Sequence, residues 1–256
     1  MAFPRQIICL TEESVETLYL LGREDLIAGV SQYVERPKAA KKHPVVSQFV
    51  RSDIDKICDL RPDLVLGFSD IQKDIAKELI GRGLNVFITN QRSLEEILNY
   101  ILMLGRLVGE EAKAKIIVEG YRKKLASIKL PQGFKPRVYF EEWDHPRFSA
   151  ITWVSEMIQS IGAENIFSDR VGAMARDREV KDEEIIARNP DFILPCWCGK
   201  KVKIDSIYQR ENYSTIEAIK NQKVIELPPE IFLQPGPALF EDGLEMLRET
   251  LTGIKP

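Results

Sequence analysis

Short apolar runs alternate along this chain with stretches that are apolar only at every third or fourth position. Ile7-Ile8-Cys9-Leu10, Leu26-Ile27-Ala28-Gly29-Val30 and Leu64-Val65-Leu66-Gly67-Phe68 are of the first kind. Short, β-branched and bounded by turn residues, they read as strands of a parallel sheet covered on both faces. The pattern predicts strands near residues 6–10, 26–30, 63–68 and 84–88, with helices near 13–22, 53–60 and 72–82 between them. Gly22 and Gly83 stand where a helix must end before the next strand begins. Ser93 with Glu96 three positions on forms a capping box that opens a helix running through Leu107.

The chain then repeats itself. Asp55-Lys56-Ile57 leads into Arg61-Pro62-Asp63 and the strand that ends at Phe68; 128 residues later Glu183-Glu184-Ile185 leads into Asn189-Pro190-Asp191 and a strand ending at Cys196-Trp197. Proline disfavours helix in the residue before it, so each helix should stop at Arg61 and Asn189. Two copies of one helix-strand unit predict two lobes, and two lobes predict a cleft that holds a ligand. Ligands meet open parallel sheets beyond the carboxyl ends of the strands, where Phe68, Ser69, Asp70 and then Cys196, Trp197, Cys198 fall.

Between the copies, Glu110 to about Ile128 is helical in pattern and heavily charged, with no apolar strand beside it. At 1.5 Å per residue it would reach roughly 30 Å, which suits one helix joining two lobes. Pro131-Gln132-Gly133 ends it, the strand Arg137-Val138-Tyr139-Phe140 follows, and a final helix runs from about Leu239 to Leu251. The expected organisation is an amino-terminal αβ lobe over 1–108, a connecting helix over 109–130 and a carboxyl-terminal αβ lobe over 131–256.

Composition narrows the function. With 44% apolar and 29% charged residues the chain can build a core, and a net charge of −3 gives no basic field for nucleic acid. No stretch approaches the ~20 apolar residues of a membrane span, and no signal-peptide pattern precedes Ile7, so the sequence as written reads as cytoplasmic, or as periplasmic or cell-surface if a leader has been removed. The four cysteines (Cys9, Cys58, Cys196, Cys198) fit a reducing compartment, Cys9 and Cys58 as core residues. A monomer is expected.

In their order and spacing, several stretches resemble the helical-backbone class of ABC-transporter substrate-binding proteins: Ile7 to Leu10 followed by Glu13-Ser14-Val15-Glu16, Ile27 to Ser31, Ile57 to Leu66, Leu84-Asn85-Val86, Gly162 to Phe167, and Glu183 to Leu194. Within that class, which holds receptors for cobalamin, haem and iron-siderophores, the cobalamin-binding branch is the nearest match. The resemblance implies an α/β fold of two Rossmann-like lobes joined by one long backbone helix, with the ligand in the cleft between them. It implies a binding protein without catalysis, no prosthetic group, and cobalamin or another corrinoid as bound ligand. Aromatic planes that follow strand ends, Tyr33, Phe49, Phe68, Trp143, Phe148, Trp197 and Phe232, would lie against the corrin ring. Ser69-Asp70 and Gln91-Arg92 would hold polar groups of the ligand rim or cap the helices that follow, and Glu13, Glu142, Gln234 and Cys196, the last packed behind Trp197, complete the expected ligand-binding set. In the class one carboxylate on each lobe meets arginines of the membrane permease, and Asp55 and Glu183 stand at the matching positions, the first an Asp where Glu is usual.

Two departures from that pattern add alternatives. Glu141-Glu142-Trp143-Asp144-His145 gathers three carboxylates and an imidazole at one strand end, and clustered carboxylates repel unless a cation or hydrogen-bond donors compensate them. That points to a cationic or amide-rich ligand, or a metal. Cys196 and Cys198 would turn to the same side of an extended segment and could meet one soft metal, yet with only two histidines, His43 and His145, a permanent metal site is not expected. A siderophore, haem or other metal chelate is therefore the second ligand class. An enzyme using the Glu141–Asp144 cluster, or a Cys198 thiolate beside Lys200, is the third reading. No Gly-x-Ser-x-Gly elbow, phosphate loop or His-Glu-x-x-His pair supports it.

Overall fold

The apolar run at the amino end becomes the centre of a parallel sheet. In a computed structural model that describes residues 4–170, 172 and 174–253, five strands, β1 (Ile7–Cys9), β2 (Ile27–Ser31), β3 (Val45–Ser47), β4 (Leu64–Phe68) and β5 (Val86–Thr89), pair in the order β3-β2-β1-β4-β5. β1 and β4 are buried along their whole length, as their uninterrupted apolar sequence requires. Helices α1 (Glu12–Leu21), α2 (Ile54–Asp59), α3 (Lys73–Gly81), α4 (Leu94–Leu107) and α5 (Glu111–Ser127) connect and cover them. On one face Ile8, Leu10, Val46 and Val65 pack with Ile57 of α2 and Ile75 and Leu79 of α3, each such side chain stabilising the fold by about 1.5–3 kcal/mol.

The chain separates into two compact units. The first holds the chain up to Gln91, Glu95–Gly120 and Gln234–Ala238; the second holds Arg92–Leu94, Tyr121–Leu233 and the chain from Leu239 onward. The two-lobed α/β class read from the sequence is the class observed. The chain passes from the first unit to the second inside α5, a helix of 17 residues, about 25 Å long. The ends of the expected lobes, residues 1–3 and 254–256, lie outside the described residues.

In the second unit β6 (Arg137–Glu141), β9 (Glu164–Asn165) and β10 (Phe192–Pro195) form a parallel sheet in the order β10-β6-β9, and β7 (Trp143–Asp144) pairs with β8 (Arg147–Phe148) in an antiparallel hairpin. Helices α6 (Thr152–Ser160), α7 (Asp182–Arg188), α8 (Ile204–Tyr208), α9 (Glu217–Lys220), α10 (Pro229–Phe232) and α11 (Leu244–Thr252) surround them. The final helix expected from Leu239 opens instead with a π-helical turn over Leu239–Gly243. Within this turn the Phe240 carbonyl accepts from Lys124 Nζ at 3.2 Å and the Phe240 ring stacks on Tyr121 with centroids 4.8 Å apart.

The repeated Pro-Asp element has a structural purpose. Arg61, just past the cap of α2, and Asn189, the cap of α7, take left-handed values, φ +49° and +41°, that turn the chain out of the helix, and the proline after each keeps the helix from continuing. The aspartate after the proline then ties the neighbouring strand: Asp63 accepts from the backbone N–H groups of Arg5 and Gln6 at 2.9 and 3.0 Å, and Asp191 from that of Arg137 at 2.8 Å. Each sets the entry of the strand beside its own, β1 beside β4 and β6 beside β10.

Strands β3, β7, β8 and β9 were not expected from the sequence. β3 has three residues, two of them valines, after His43-Pro44; the β7–β8 hairpin carries the charges that read as a cluster; β9 has two residues, both polar. None is long enough to show a periodicity. Among the described residues no helix is long and apolar enough to cross a membrane.

Candidate functional site

In the first unit the chain runs outward from β1 through β2 to β3, then returns to the other side of β1 for β4 and β5. The order reverses between β1 and β4, and in such sheets the crevice beyond the carboxyl ends at the reversal is where ligands bind. Thr11 to Glu13 leave β1 there and Phe68 to Asp70 leave β4. A fully buried Gln72 stitches the strand ends together: its Oε1 accepts from the Phe68 N–H at 2.9 Å and its Nε2 donates to the Phe49 carbonyl at 2.8 Å. Phe49 and Ser69 sit at φ +67° and +64°, strained values for residues other than glycine, fixed by this bonding and by the Ser69 hydroxyl accepting from the Ile71 N–H.

The first two turns of α1 bring three carboxylates into the interior. Glu12 accepts from the Ser31 hydroxyl at 3.1 Å, and burial pushes its carboxyl upward in pKa despite that bond and one from Gln234. Glu13, 1% exposed, accepts from the Thr11 hydroxyl at 2.5 Å through one oxygen, while its other oxygen has no hydrogen-bond partner among the described residues. Burial, with the neighbouring Glu12 charge adding to it, pushes the Glu13 carboxyl up to about 8. Glu16 pairs with Arg36 at 3.0 Å and accepts from the Ala238 N–H at 3.0 Å. Gln234–Ala238 is thus a strap bound across α1. Gly236 permits it to lie there, since a Cβ at 236 would come within 2.6 Å of the Glu13 Cβ. Gln91, also buried, donates to the Pro235 carbonyl at 3.4 Å.

In the second unit the carboxylates at the end of β6 are compensated from within the chain. Glu141, 0% exposed, receives both nitrogens of the Arg210 fork at 2.6 and 2.8 Å, the Trp197 indole N–H at 3.1 Å and the Tyr139 hydroxyl at 3.1 Å. Glu142 holds the buried Arg178 guanidinium at 2.5 Å, and Asp144 holds Lys200 Nζ at 2.7 Å. The same ammonium sits 5.1 Å from the Trp143 ring centre and 5.0 Å from that of Trp197, within reach of a cation–π interaction with each. The repulsion that led the sequence reading toward a cationic ligand or a metal is relieved by these three cations. Among the described residues no three His, Cys, Asp or Glu side chains are grouped to hold a metal ion. Cys196 is buried, its thiol pushed up by that burial, whereas Cys198 is exposed, so the two sulfurs do not share one environment.

The residues singled out in the sequence divide by exposure. Tyr33, at 47%, Asp70 and the docking candidates Asp55 and Glu183 are exposed; Phe49, Arg92, Glu142, Trp143, Phe148 and Gln234 are half-buried. Phe68, Ser69, Gln91, Cys196, Trp197 and Phe232 are buried, as is Glu13. Trp197 belongs to the core of the second unit with Tyr139, Ile193 and Tyr213, and Phe232 is held in α10 by the Trp153 indole N–H donating to its carbonyl at 2.9 Å. Asp55 is paired with Arg82 at 3.0 Å. Gln72, Thr11, Arg178 and Arg210, which organise these strand ends, carried no local signal: each bonds a partner whose proximity exists only in the fold, except Thr11, two residues from Glu13.

Comparison with known proteins agrees with this architecture. The chain is 29% identical over 260 residues to the uncharacterized ABC transporter substrate-binding lipoprotein YvrC of Bacillus subtilis, covering 97% of this chain and 80% of that one. It is 26% identical over 198 residues to a cobalamin-binding protein of Halobacterium salinarum, covering 75% of this chain and 53% of that protein, so it spans about half that relative's length. Among solved structures, one described as a possible iron-binding (periplasmic solute-binding) protein of Staphylococcus epidermidis superimposes with a TM-score of 0.81 at 27% identity, covering 96% of this chain and 98% of that one. With residues 7–231 also matching the model of the periplasmic binding proteins, the chain belongs to the periplasmic binding protein family, in the helical-backbone class.

Proposed function

We propose that this periplasmic solute-binding protein captures cobalamin or a related corrinoid and delivers it to an ABC permease, without chemistry of its own. The observation that carries the reading is the identity with a cobalamin-binding protein over three quarters of the chain. The strand ends of each unit supply chemistry of the right kind: exposed or half-exposed ring faces at Tyr33 and Phe49 in the first and at Trp143 and Phe148 in the second, and amide, hydroxyl and carboxylate groups at Ser69, Asp70, Gln91 and Gln234 in the first. Ring faces give large contact area at small entropic cost, and amide-bearing rims need such partners. The family and the B. subtilis relative's place in an ABC system support transport rather than catalysis. That relative is a lipoprotein, which supports a site of action outside the cytoplasmic membrane. Asp55 and Glu183, both exposed near the starts of α2 and α7, are the proposed permease contacts.

The test is titration of the purified protein with hydroxocobalamin, cobinamide, haemin and a ferric hydroxamate siderophore, followed by visible absorbance and tryptophan quenching. Saturable one-to-one binding of the corrinoids, weakened at least tenfold by Tyr33→Ala and by Trp143→Ala, is expected. Binding of haemin or the siderophore in preference to both corrinoids would overturn the ligand and leave the transport role standing. The second reading, an iron chelate, rests on the S. epidermidis structure, and the same titration decides it. Asp55→Lys and Glu183→Lys should block cellular uptake of the ligand and leave its affinity unchanged.

A further inference from the structure

A groove of about 510 Å³ runs along α3 beside β5, the edge strand of the first unit's sheet. Its volume falls within the roughly 300–1,000 Å³ usual for small-molecule sites. Ala76, Ile80 and Ile88 form an apolar floor, and Ile80 is 60% exposed. Lys73 and Lys77 flank that floor, with Ser69, Asp70 and Asn90 at the end nearest the strand termini.

Two features of this groove together suit an anionic ligand. Neither Lys73 nor Lys77 makes a hydrogen bond or ion pair with any described residue, whereas Lys41, Lys115, Lys200 and Lys220 each pair with a carboxylate. The two stand four residues apart on one helix, which puts their Cβ atoms about 5–6 Å from each other, close enough for both ammonium groups to close on one anionic head. Asp74 and Glu78 of the same helix do not line the groove, and Asp70 is the one carboxylate among its lining residues. A smaller groove of about 310 Å³ shares Asn90 and continues past Thr89 to Met103, which extends the concave surface along the end of β5.

We propose that this groove is a second binding site, for a small amphipathic organic anion whose apolar body lies on Ala76, Ile80 and Ile88 and whose carboxylate or sulfonate sits between Lys73 and Lys77. An apolar floor alone would accept a neutral chain; unpaired lysines alone would accept any ion. Their combination selects a molecule that carries both parts.

Isothermal titration with decanoate, decanol and decyltrimethylammonium, used as probes of one chain length and three charges, tests it. Saturable one-to-one binding of decanoate is expected, with at least tenfold weaker binding of the other two and weakening by added salt. The double variant Lys73→Gln/Lys77→Gln and, separately, Ile80→Ser should each lower decanoate affinity at least tenfold, with unchanged circular dichroism and unchanged corrinoid affinity. Absence of saturable decanoate binding, equal binding of decanol, or unaltered affinity in both variants overturns the proposal. Loss of corrinoid and decanoate binding together in the lysine variant also overturns it, by showing one site where two are proposed. The decanoate outcomes do not depend on whether the corrinoid reading is right, because the wild-type and variant decanoate titrations stand without it; only the joint-loss outcome requires that a corrinoid bind.

Discussion

Glu13→Gln should change how stability depends on pH rather than stability at every pH. Glu13 lies in the first turn of α1 with Cys9 of β1, Thr11, Glu12 of its own helix and Tyr100 of α4 around it, and the strap at Gly236 against its side chain. Burial raises its carboxyl from an ordinary 4.5 to about 8. Between those values the native chain keeps a proton that the unfolded chain has lost, so stability falls by about 1.4 kcal/mol for each unit of rising pH. The decline starts near pH 4.5, is complete near pH 8, where the native carboxyl also ionises, and amounts to about 5 kcal/mol as an upper bound. Glutamine keeps the shape and cannot ionise. Its amide leaves a buried group imperfectly bonded, a cost of about 1–3 kcal/mol that does not vary with pH. The variant should therefore equal or fall below wild type at pH 5 and exceed it at pH 8.5. Denaturant unfolding at intervals from pH 5 to 9 measures this. The three tryptophans, Trp143, Trp153 and Trp197, all lie in the second unit, so far-ultraviolet circular dichroism or hydrogen exchange in α1 is the readout, not fluorescence. Because Glu12 also titrates upward from its normal range, the quantity that decides is the difference between wild type and variant. A difference that stays constant across the range would refute a protonated native Glu13.

Other changes test the remaining contacts. Arg210→Met strands the buried Glu141 carboxylate without its counter-charge and should cost about 3–5 kcal/mol by tryptophan-monitored unfolding; adding Glu141→Gln should recover part of it, and a loss under about 1 kcal/mol would show that the pair contributes little. Asp191→Ala removes the acceptor for the N–H that starts β6 and should cost about 1.5–3 kcal/mol by the same assay. Gly236→Ala drives a methyl into the Glu13 side chain and should cost about 1–3 kcal/mol, seen as a lower denaturation midpoint by circular dichroism; an unchanged midpoint would mean that the strap is free to shift.

Element type was legible where periodicity had room to show itself. β1, β4 and β10 carry uninterrupted apolar runs, and α4 and α5 are long enough for their capping and charge patterns to be read. The short elements were not legible, because two or three residues have no period and their pairing is decided by what lies beside them. β3 becomes a strand because β2 offers a free edge, with Val30 and Ser31 in register with Val45 and Ser47. The Pro-Asp repeat was read correctly as a helix end before a strand, but the role of its aspartate was invisible. The N–H groups that Asp63 and Asp191 hold belong to residues 58 and 54 positions earlier in the chain.

The same distance rule explains what could be said of the carboxylates at the end of β6. A sequence shows that Glu141, Glu142 and Asp144 are adjacent; it does not show that Arg210, Arg178 and Lys200 return to them from 69, 36 and 56 positions away. Local clustering of like charge therefore predicts that a compensating cation exists and says nothing of its origin. Where the chain supplies that cation, the cluster becomes a framework for the loop that carries Trp143. Where it does not, the imbalance persists at the surface, as it does in the opposite sign at Lys73 and Lys77. Unpaired charge in the folded chain is thus a better guide to a ligand than clustered charge in the sequence, since pairing can be judged only after the distant partners have arrived.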